Sequence, residues 1–357
     1  MFKLHQKRFI LLVSVTLILL MTLIVVNVTF RQKQQEPRRT MYVEDGKPIL
    51  GLSFDAVVIE SWQKDLNILK TKAEELGFEV KTVIAYESND KQVEQIRNLV
   101  DEGAVAIFIL PHDKDGLADV IAEAKRRGVI IISYDRLISN ANVDAYVSFD
   151  NIKVGELMAK ALIDKVPKGN YVVINGSPYD HNAFMFNEGY YNVLQPYIDR
   201  GDITIVKETW ANNWNEEIAM DTVTQVINEG VTIDAIIGAN DRLAEGAISV
   251  LSEYGLVGKV SVVGHDADIR ACQLIVEGKQ LMTVYKPIKN LAEGSVELVF
   301  AMLNNEKINK VDTINDGKYD VPYLKFGVIA VNADNMKETI IKDLFHTEED
   351  VYRTGDN

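Results

Sequence analysis

The chain has 357 residues, of which 47% are hydrophobic and 25% are charged, the composition of a globular protein rather than of a disordered one. It carries 52 Asp and Glu against 38 Lys and Arg, and the net charge of -14 argues against nucleic acid as a partner because phosphates are repelled. The single cysteine, Cys272, excludes both an internal disulfide framework and a zinc site made of several thiolates.

The first segment is apolar enough to cross a membrane. Residues 9–30 contain no charged side chain and follow three basic residues. Because about 20 such residues span a bilayer as a helix, we predict a cytoplasmic end at residues 1–8, a transmembrane anchor at residues 9–30 and a polar tether at residues 31–47. A cleaved secretory signal is the alternative, although its apolar part is only about 7–15 residues long and precedes a small-residue cleavage site.

From residue 48 onward, short β-branched apolar runs alternate with amphipathic stretches. Residues 62–76 are one such stretch, in which Leu66, Leu69 and Ala73 share a helical face. Continuously apolar strands separated by helices indicate parallel sheets that are covered on both faces. The predicted strands are residues 49–54, 80–86, 105–110, 129–134, 145–149, 171–174, 203–206, 235–237, 260–263, 281–285 and 323–331.

The chain alternates between strand and helix more often than one ordinary open sheet can accommodate, whereas two sheets accommodate this number of strands. We therefore predict an α/β fold of two doubly wound parallel-sheet lobes, an N-terminal lobe at residues 48–150 and a C-terminal lobe at residues 151–287. Returning segments complete them, about 288–320 in the first lobe and about 321–346 in the second, and residues 347–357 form a polar tail. A (β/α)8 barrel is the alternative fold, because its strand and helix pattern is the same in sequence.

Polar and aromatic side chains follow the predicted strands, where parallel sheets bind their ligands. Carboxylates accept from two neighbouring hydroxyls, amides both donate and accept, an arginine donates from a planar fork, and an indole covers the apolar face of a sugar ring. This mixture predicts a polyhydroxyl ligand. The strand-end residues are Trp62, Asp135, Arg136, Asp150, Asn151, Asp180, Asn182, Trp210, Trp214, Asn240, Asp241, Asp266 and Lys286.

Each of these residues has a simpler explanation when taken alone. Asp and Asn after a strand commonly cap the next helix, as we expect of Asp150 and Asp241, and a tryptophan more often belongs to the core. Helix capping does not explain why Arg136, Lys286 and Trp214 also follow predicted strands. The interpretation as a ligand site therefore depends on their co-occurrence.

Other classes of protein fit less well. No dinucleotide fingerprint follows the first strand, and the sequence has neither a phosphate loop nor a nucleophile elbow, so we predict no enzymatic activity and no cofactor. Residues 112–116 begin like a calcium loop, but Ala124 stands where a bidentate Glu is required. His265, Asp266 and Asp268 lack the further His or Cys of a zinc site, so no metal site is predicted. A sugar-responsive repressor would need a helix-turn-helix domain in place of the apolar segment.

Several strings, taken together, resemble the D-xylose-binding proteins. The resemblance covers essentially residues 48–346, and it implies the type I periplasmic binding protein fold, in which a three-strand hinge joins two lobes and the pentose lies between them. The strings are Ser61-Trp62-Gln63-Lys64-Asp65, Tyr134-Asp135-Arg136, Ser148-Phe149-Asp150-Asn151, Gly176-Ser177-Pro178-Tyr179-Asp180-His181-Asn182, Asn240-Asp241, Gly264-His265-Asp266-Ala267-Asp268 and Met282-Thr283-Val284-Tyr285-Lys286-Pro287.

The resemblance also implies roles for individual residues. Trp62 and Trp214 would sandwich the sugar ring, and seven polar residues would hydrogen-bond its hydroxyls. Ser61 stands where the family pattern has an Arg donor, which predicts either a lower affinity or a water in that place. The hydrogen-bonding residues would be Asp135, Arg136, Asp180, Asn182, Asn240, Asp266 and Lys286.

The predicted anchor departs from a soluble transport component. In this respect the chain is similar to membrane-anchored xylose sensors that work with a two-component sensor histidine kinase. That similarity implies a single-pass cell-membrane protein whose extracellular domain closes on D-xylose and then binds the extracellular domain of the kinase differently. The alternative is an anchored substrate-binding subunit of an ABC-type D-xylose importer, with a permease as its partner.

Overall fold

The structure is a computed structural model that describes residues 46–55, 60–306 and 311–353, without the side chains of residues 60–62. The predicted cytoplasmic end and anchor, with residues 31–45 of the tether, lie outside the described residues. Within the described part of the chain, no helix combines the length and the apolar character needed to cross a bilayer.

Strands and helices alternate along the described chain, and two short irregular helices interrupt the pattern at Asn212–Trp214 and Lys337–Ile341. The first part comprises β1 (Ile49–Phe54), α1 (Glu60–Glu75), β2 (Glu79–Ile84), α2 (Asn89–Asp101), β3 (Ala104–Leu110), α3 (Ala118–Arg126), β4 (Ile130–Tyr134) and β5 (Ala145–Phe149). The second comprises α4 (Asn151–Lys165), β6 (Gly169–Asn175), α5 (His181–Asp199), β7 (Ile203–Trp210), α6 (Glu216–Asn228), β8 (Ala235–Gly238), α7 (Asp241–Glu253), β9 (Ser261–Val263), α8 (Ile269–Val276) and β10 (Thr283–Tyr285). The last comprises α9 (Ile288–Leu303), β11 (Asp312–Asn315), β12 (Asp320–Phe326), β13 (Ile329–Val331) and α10 (Glu348–Tyr352).

The sheet of the first lobe has the strand order β11–β12–β5–β4–β3–β1–β2 and is parallel except at β11. Alternate residues of β3 are buried on opposite faces of this sheet. Ala106, Phe108 and Leu110 pack in one core with α1 and α9. Ile107 and Ile109 pack in another with α2 and α3. Burial on both faces explains why the strands appear in the sequence as continuous apolar runs.

The sheet of the second lobe has the order β7–β6–β8–β9 and is entirely parallel. Helices α4 and α5 cross on one face of it at two glycines. A Cβ on Gly155 would lie 2.1 Å from the carbonyl oxygen of Phe186, and one on Gly189 would lie 2.1 Å from that of Ile152. Because only glycine permits this approach, the crossing fixes the position of α5.

The chain passes between the two lobes three times. It enters the second lobe after β5, returns through the loop between β10 and α9, and crosses again between β12 and β13. Leu291 and Val296 of α9 are buried in the first lobe's core. The predicted α/β fold of two parallel-sheet lobes is confirmed, and the two separate sheets show that the (β/α)8 barrel alternative is wrong.

Two segments near the C-terminus differ from the sequence-based boundaries. The sequence assigns residues 321–346 to the second lobe, but β12 pairs with β5 along residues 323–326, so this strand lies in the first sheet. The segment joins the second lobe after β12, where β13 pairs with β10 and Met336 and Ile340 pack against Cys272. The predicted polar tail contains α10, where Val351 packs with Met336 and Cys272 in an apolar cluster. Gln273 Nε2 also donates to the carbonyl oxygen of Asp350 at 2.9 Å, so both an apolar contact and a hydrogen bond hold this short helix against the lobe.

Candidate ligand-binding cleft

A cavity of about 150 Å³ lies between the lobes, at the carboxyl ends of strands from both sheets. It is well below the roughly 300–1,000 Å³ of drug-sized sites, which indicates a small ligand. The side chain of Trp62, the ninth candidate, lies outside the described part of the chain, while its backbone belongs to α1. Eight of the nine predicted residues line the cavity, namely Asp135, Arg136, Asp180, Asn182, Trp214, Asn240, Asp266 and Lys286.

Asp135 occupies a strained turn directly after β4. Its φ of 61° lies in the left-handed region, which costs energy for a residue other than glycine. Two donors hold its carbonyl oxygen, Ser148 Oγ at 2.7 Å and Asn182 Nδ2 at 2.9 Å, and Tyr146 Oη lies 3.0 Å away. These bonds keep the turn in place and the Asp135 side chain in the wall of the cavity.

The carboxylate of Asp135 remains available to a ligand. Burial raises its pKa to about 6; Lys286 opposes this shift and Asp180 adds to it. Within the described chain, no hydrogen bond or ion pair of another residue reaches this carboxylate. Since an ionised carboxylate offers about four acceptor positions, it can bind two neighbouring hydroxyls.

Arg136 links the two lobes across the cavity. Its Nε lies 2.9 Å from Oδ2 of Asp180 in the second lobe, and its Nη1 lies 3.5 Å from Oδ2 of Asp55 at the end of β1. All three side chains are largely buried, so the charges are poorly screened and the guanidinium is held in one orientation. Nη1 of Arg136 also donates to the carbonyl oxygen of Pro111 at 3.3 Å, which fixes the guanidinium from the first lobe as well.

Asn182 also connects the lobes. Its Oδ1 accepts from Tyr146 Oη at 2.8 Å, and its Nδ2 donates to the carbonyl oxygen of Asp135 at 2.9 Å. A primary amide has two N–H donors and two acceptor positions, so these contacts use half of its capacity. Asn182 therefore contributes both to contact between the lobes and to the polar lining.

The helix-cap explanation holds for some candidates without removing them from the cavity. Asp180 caps α5 by accepting from the backbone of Asn182 at 2.9 Å, and Asn240 caps α7 by accepting from the backbone of Leu243 at 3.0 Å. Asp150 caps α4 in the same way but does not line the cavity. A cap uses one oxygen of the side chain, so Asp180 keeps its second carboxylate oxygen, which pairs with Arg136, and Asn240 keeps its amide nitrogen.

Asp241 does not cap a helix, contrary to the expectation from the sequence. It is the first residue of α7 and is buried, and its carboxylate accepts from Thr283 Oγ1 at 2.8 Å and from Gln280 Nε2 at 2.9 Å. The same carboxylate accepts from the backbone N–H of Asp268 at 3.1 Å. Asp241 thus holds the loop after β9 against β10 and does not line the cavity.

Asp266 and Lys286 form an ion pair in the wall of the second lobe. Lys286 Nζ lies 3.1 Å from Asp266 Oδ1, and the φ of Asp266 is 107°. Burial works against the charged carboxyl group, but Lys286 and His265 outweigh it and hold the pKa of Asp266 well below its usual range. Asp266 is therefore an ionised acceptor at neutral pH.

The indole of Trp214 covers one side of the cavity. Asn213 and Trp214 have φ values of 53° and 57°, two consecutive left-handed residues that end the short 3₁₀ helix. The ring lies directly against Gly176, where a Cβ would be only 2.2 Å from Cη2 of the indole. Glycine at this position is therefore a condition for the ring's placement.

The profile of the periplasmic binding protein domain matches residues 50–307. This chain belongs to the periplasmic binding protein family. Proteins of this family bind their ligands without transforming them, and the chain is not an enzyme. Within the described residues, no group of three or more His, Cys, Asp or Glu side chains is placed to hold a metal ion.

Individual relatives of this binding protein are similar over most of its length. The D-xylose-binding periplasmic protein of Haemophilus influenzae is 43% identical over 304 residues, which are 85% of this chain and 92% of that protein. The protein of the same name from Escherichia coli is 42% identical over 303 residues, again 85% and 92%. An ABC transporter solute binding protein from Clostridium phytofermentans, solved with bound β-D-glucose, superposes with a TM-score of 0.77 at 28% identity and covers 85% of this chain and 99% of its own.

The cleft of this binding protein also contains residues that the sequence analysis did not select. Asp55 follows β1 and could have been found by the same strand-end rule, and His112 Nδ1 lies 3.0 Å from its Oδ1. Phe186 lies one helical turn after Asn182 on α5, where helical spacing would have placed it on the same face. His265 directly precedes Asp266 in the loop after β9.

Proposed function

We propose that this protein binds D-xylose and closes its two lobes over the sugar. The observation that carries the proposal is the convergence of eight predicted residues, from both lobes, on one cavity of about 150 Å³. The 43% and 42% identity to two D-xylose-binding periplasmic proteins supports a pentose as the ligand.

The chemistry of the lining supports a polyhydroxyl ligand. Asp266 supplies an ionised acceptor beside the donor Lys286, and Asp135 supplies a second acceptor opposite them from the first lobe. Arg136 and Asn182 add donors, and the indole of Trp214 offers a flat apolar face. Buried polar groups are costly unless a ligand satisfies them, so this lining favours a small sugar over an apolar molecule.

For the cellular role, we propose delivery of D-xylose to an ABC-type importer outside the cytoplasmic membrane. The names of the relatives and of the superposed structure refer to periplasmic binding and transport. Anchored sensing through a histidine kinase is the second candidate, and the uncharged segment at residues 9–30 favours it. Deleting the gene separates the two when the importer genes are expressed from a constitutive promoter: loss of labelled D-xylose uptake in these cells supports delivery, whereas loss of xylose-induced transcription with uptake retained supports sensing, in which the kinase regulates xylose uptake.

Sugar binding itself is tested by calorimetry of the full chain with D-xylose, D-ribose, D-arabinose and D-glucose. Two capping aspartates provide a pair of variants: Asp180 and Asp150 both cap helices, whereas Asp180 in addition lines the cavity and pairs with Arg136. Each change to Ala removes a cap, which lowers the free energy of unfolding by about 0.5–2 kcal/mol, and Asp180→Ala costs more because it also leaves Arg136 without its carboxylate partner. We expect Asp180→Ala to weaken D-xylose binding at least about tenfold, since a charged hydrogen-bonding group is lost, and Asp150→Ala to preserve it.

The proposal fails if the wild-type chain binds none of the four sugars. It also fails in its site assignment if Asp180→Ala and Asp150→Ala bind D-xylose equally well. Thermal unfolding of both variants shows whether each retains the fold, and added sugar stabilises the folded form of any variant that binds it.

A further inference from the structure

Met185 on α5 is an apolar residue of the second lobe that is buried against the first lobe. It is only 6% exposed, and the other buried members of its apolar cluster all belong to the first lobe, among them Ile109 on β3 and Tyr146 on β5. Phe186 and Tyr190 of the same helix pack instead in the core of the second lobe. Helix α5 therefore contributes apolar side chains to both lobes, and Met185 is a contact between them.

The face of α5 that carries Met185 is the face that meets the first lobe. Asn182 lies one helical turn before Met185, and its side chain bonds to Tyr146 Oη at 2.8 Å and to the carbonyl oxygen of Asp135 at 2.9 Å. Asn182 lines the cavity, whereas Met185 is not among the described residues that do. The contact of Met185 can therefore stabilise the closed arrangement of the lobes without touching a ligand.

Separation of the lobes would break this contact. Met185 moves with the second lobe, because α5 is fixed to α4 by the close crossing at Gly155 and Gly189, while the other members of its cluster move with the first sheet. Returning a buried apolar side chain to water costs free energy in proportion to the area that becomes exposed. Opening has this cost, and closing removes it.

We propose that Met185 raises the affinity for sugar without contacting it, because its burial against the first lobe stabilises the closed form that holds the sugar from both sides. This inference rests on the proposed function and deepens it by naming a residue that controls closure. Since Met185 acts on the equilibrium between open and closed forms, it changes the affinity for every sugar by the same factor. The order of preference among sugars is left to the residues of the cavity.

The first measurement is calorimetry of the full chain, wild type against Met185→Ala, with D-xylose, D-ribose, D-arabinose and D-glucose. When the sugar-free protein is mostly open, we expect Met185→Ala to weaken each sugar that the wild type binds by one common factor of about 5- to 50-fold. When the sugar-free protein is mostly closed, the affinity changes less, and the sugar-free variant opens instead. Met185→Leu keeps an apolar side chain of similar volume and should stay within about threefold of the wild type.

The second measurement is the distance between the lobes. Glu94 on α2 and Asp221 on α6 are exposed, so Glu94→Cys and Asp221→Cys provide two sites for spin labels, whereas the native Cys272 is buried. Pulsed electron–electron resonance gives the distribution of distances between the two labels. We expect D-xylose to shorten this distance. In a sugar-free protein that is partly closed, Met185→Ala should shift the distribution to longer distances.

A matched control removes the same side chain from the interior of one lobe. Met158 on α4 is fully buried in the core of the second lobe. Met158→Ala should lower the melting temperature but leave the sugar affinities and the distance between the labels unchanged. The comparison separates an effect on closure from a general loss of stability. If Met185→Ala does not fold in a thermal scan, Met185→Val, a smaller truncation, takes its place.

Each outcome decides the inference. Unchanged affinities together with unchanged sugar-free distances in the folded Met185→Ala variant overturn it. A loss that differs by more than about threefold between sugars also overturns it, because Met185 would then act on the cavity itself. A common loss, or a sugar-free variant that opens, supports it. If the wild type binds none of the sugars, the proposed function fails, whereas the distances between the labels still show whether Met185 holds the lobes together.

Discussion

The affinity for D-xylose should depend on the protonation of Asp135. Its pKa is raised to about 6 by burial, so at pH 7 about nine in ten carboxylates are ionised and at pH 5 about one in ten. Only the ionised group accepts from two hydroxyls, which means that the sugar selects it and releases the proton. We therefore expect the dissociation constant to rise about tenfold between pH 7 and pH 5.

Calorimetry in two buffers of different ionisation enthalpy measures both the affinity and the proton release. Near pH 6, binding should release about half a proton, and the release should vanish at pH 8. Asp135→Asn should bind more weakly, with neither the pH step nor the proton release. An affinity that is flat from pH 5 to 7 in the wild type, or the same step in Asp135→Asn, would refute the reasoning.

Ionisation of Asp135 should also change the stability of the sugar-free protein, but in the opposite direction. As the pH rises, the affinity for sugar increases, whereas the free energy of unfolding decreases. The folded pKa of about 6 exceeds the ordinary value of about 3.9, so the folded state binds the proton more tightly. The contribution of Asp135 is therefore fully present below pH 4 and is lost as the pH rises to about 6. The upper limit of the loss is about 3 kcal/mol, and urea denaturation of the wild type against Asp135→Asn isolates it.

Two further predictions concern residues that support the cavity. Gly176→Ala places a methyl group 2.2 Å from Cη2 of Trp214, so we expect it to lower the unfolding free energy by about 1–3 kcal/mol and to weaken sugar binding. Adding Trp214→Phe should restore the stability but not the binding, and an unchanged melting temperature in Gly176→Ala would contradict the packing argument. Asp241→Ala removes the acceptor of Thr283 and Gln280, so urea denaturation should show a loss of about 2–4 kcal/mol. A loss below about 1 kcal/mol would mean that Asp241 does not hold the loop after β9.

The parts of the fold that could be predicted are those whose strands are buried on both faces. β1 and β5 have the bounds that their apolar runs indicate, because both faces of each strand are covered. The sequence analysis did not predict β11, because Asp312–Asn315 is polar. An edge strand that is exposed to water needs no apolar run. The predicted strand at residues 323–331 is in fact two strands, β12 and β13, because the chain crosses from one lobe to the other between them. The local sequence pattern does not indicate such a crossing.

The site could be predicted as far as it depends on strand ends. Eight candidates meet at one cavity because the carboxyl ends of parallel strands share an edge of the sheet. The orientation of His265 and the position of the Trp214 indole could not be read in the same way. They depend on Phe186 and Gly176, which are far away in the sequence and close only in the folded chain.

The distribution of these groups between the lobes suggests an order of events on binding. Of the eight described candidates, only Asp135 and Arg136 precede the first crossing, and the other six come from the second lobe. A sugar entering between separated lobes would therefore be held first by the second lobe. Asp135 and Arg136 also contact Asn182 and Asp180 of the second lobe directly, so closure adds ligand bonds and lobe-to-lobe bonds in one step. A ligand shifts a conformational equilibrium only by its differential affinity for the two forms, and the bonds from Asp135 and Arg136 are those that only the closed form can make. If the protein closes on a sugar as proposed, we expect its preference for the closed form to reside in first-lobe residues, Asp135 and Arg136 among them.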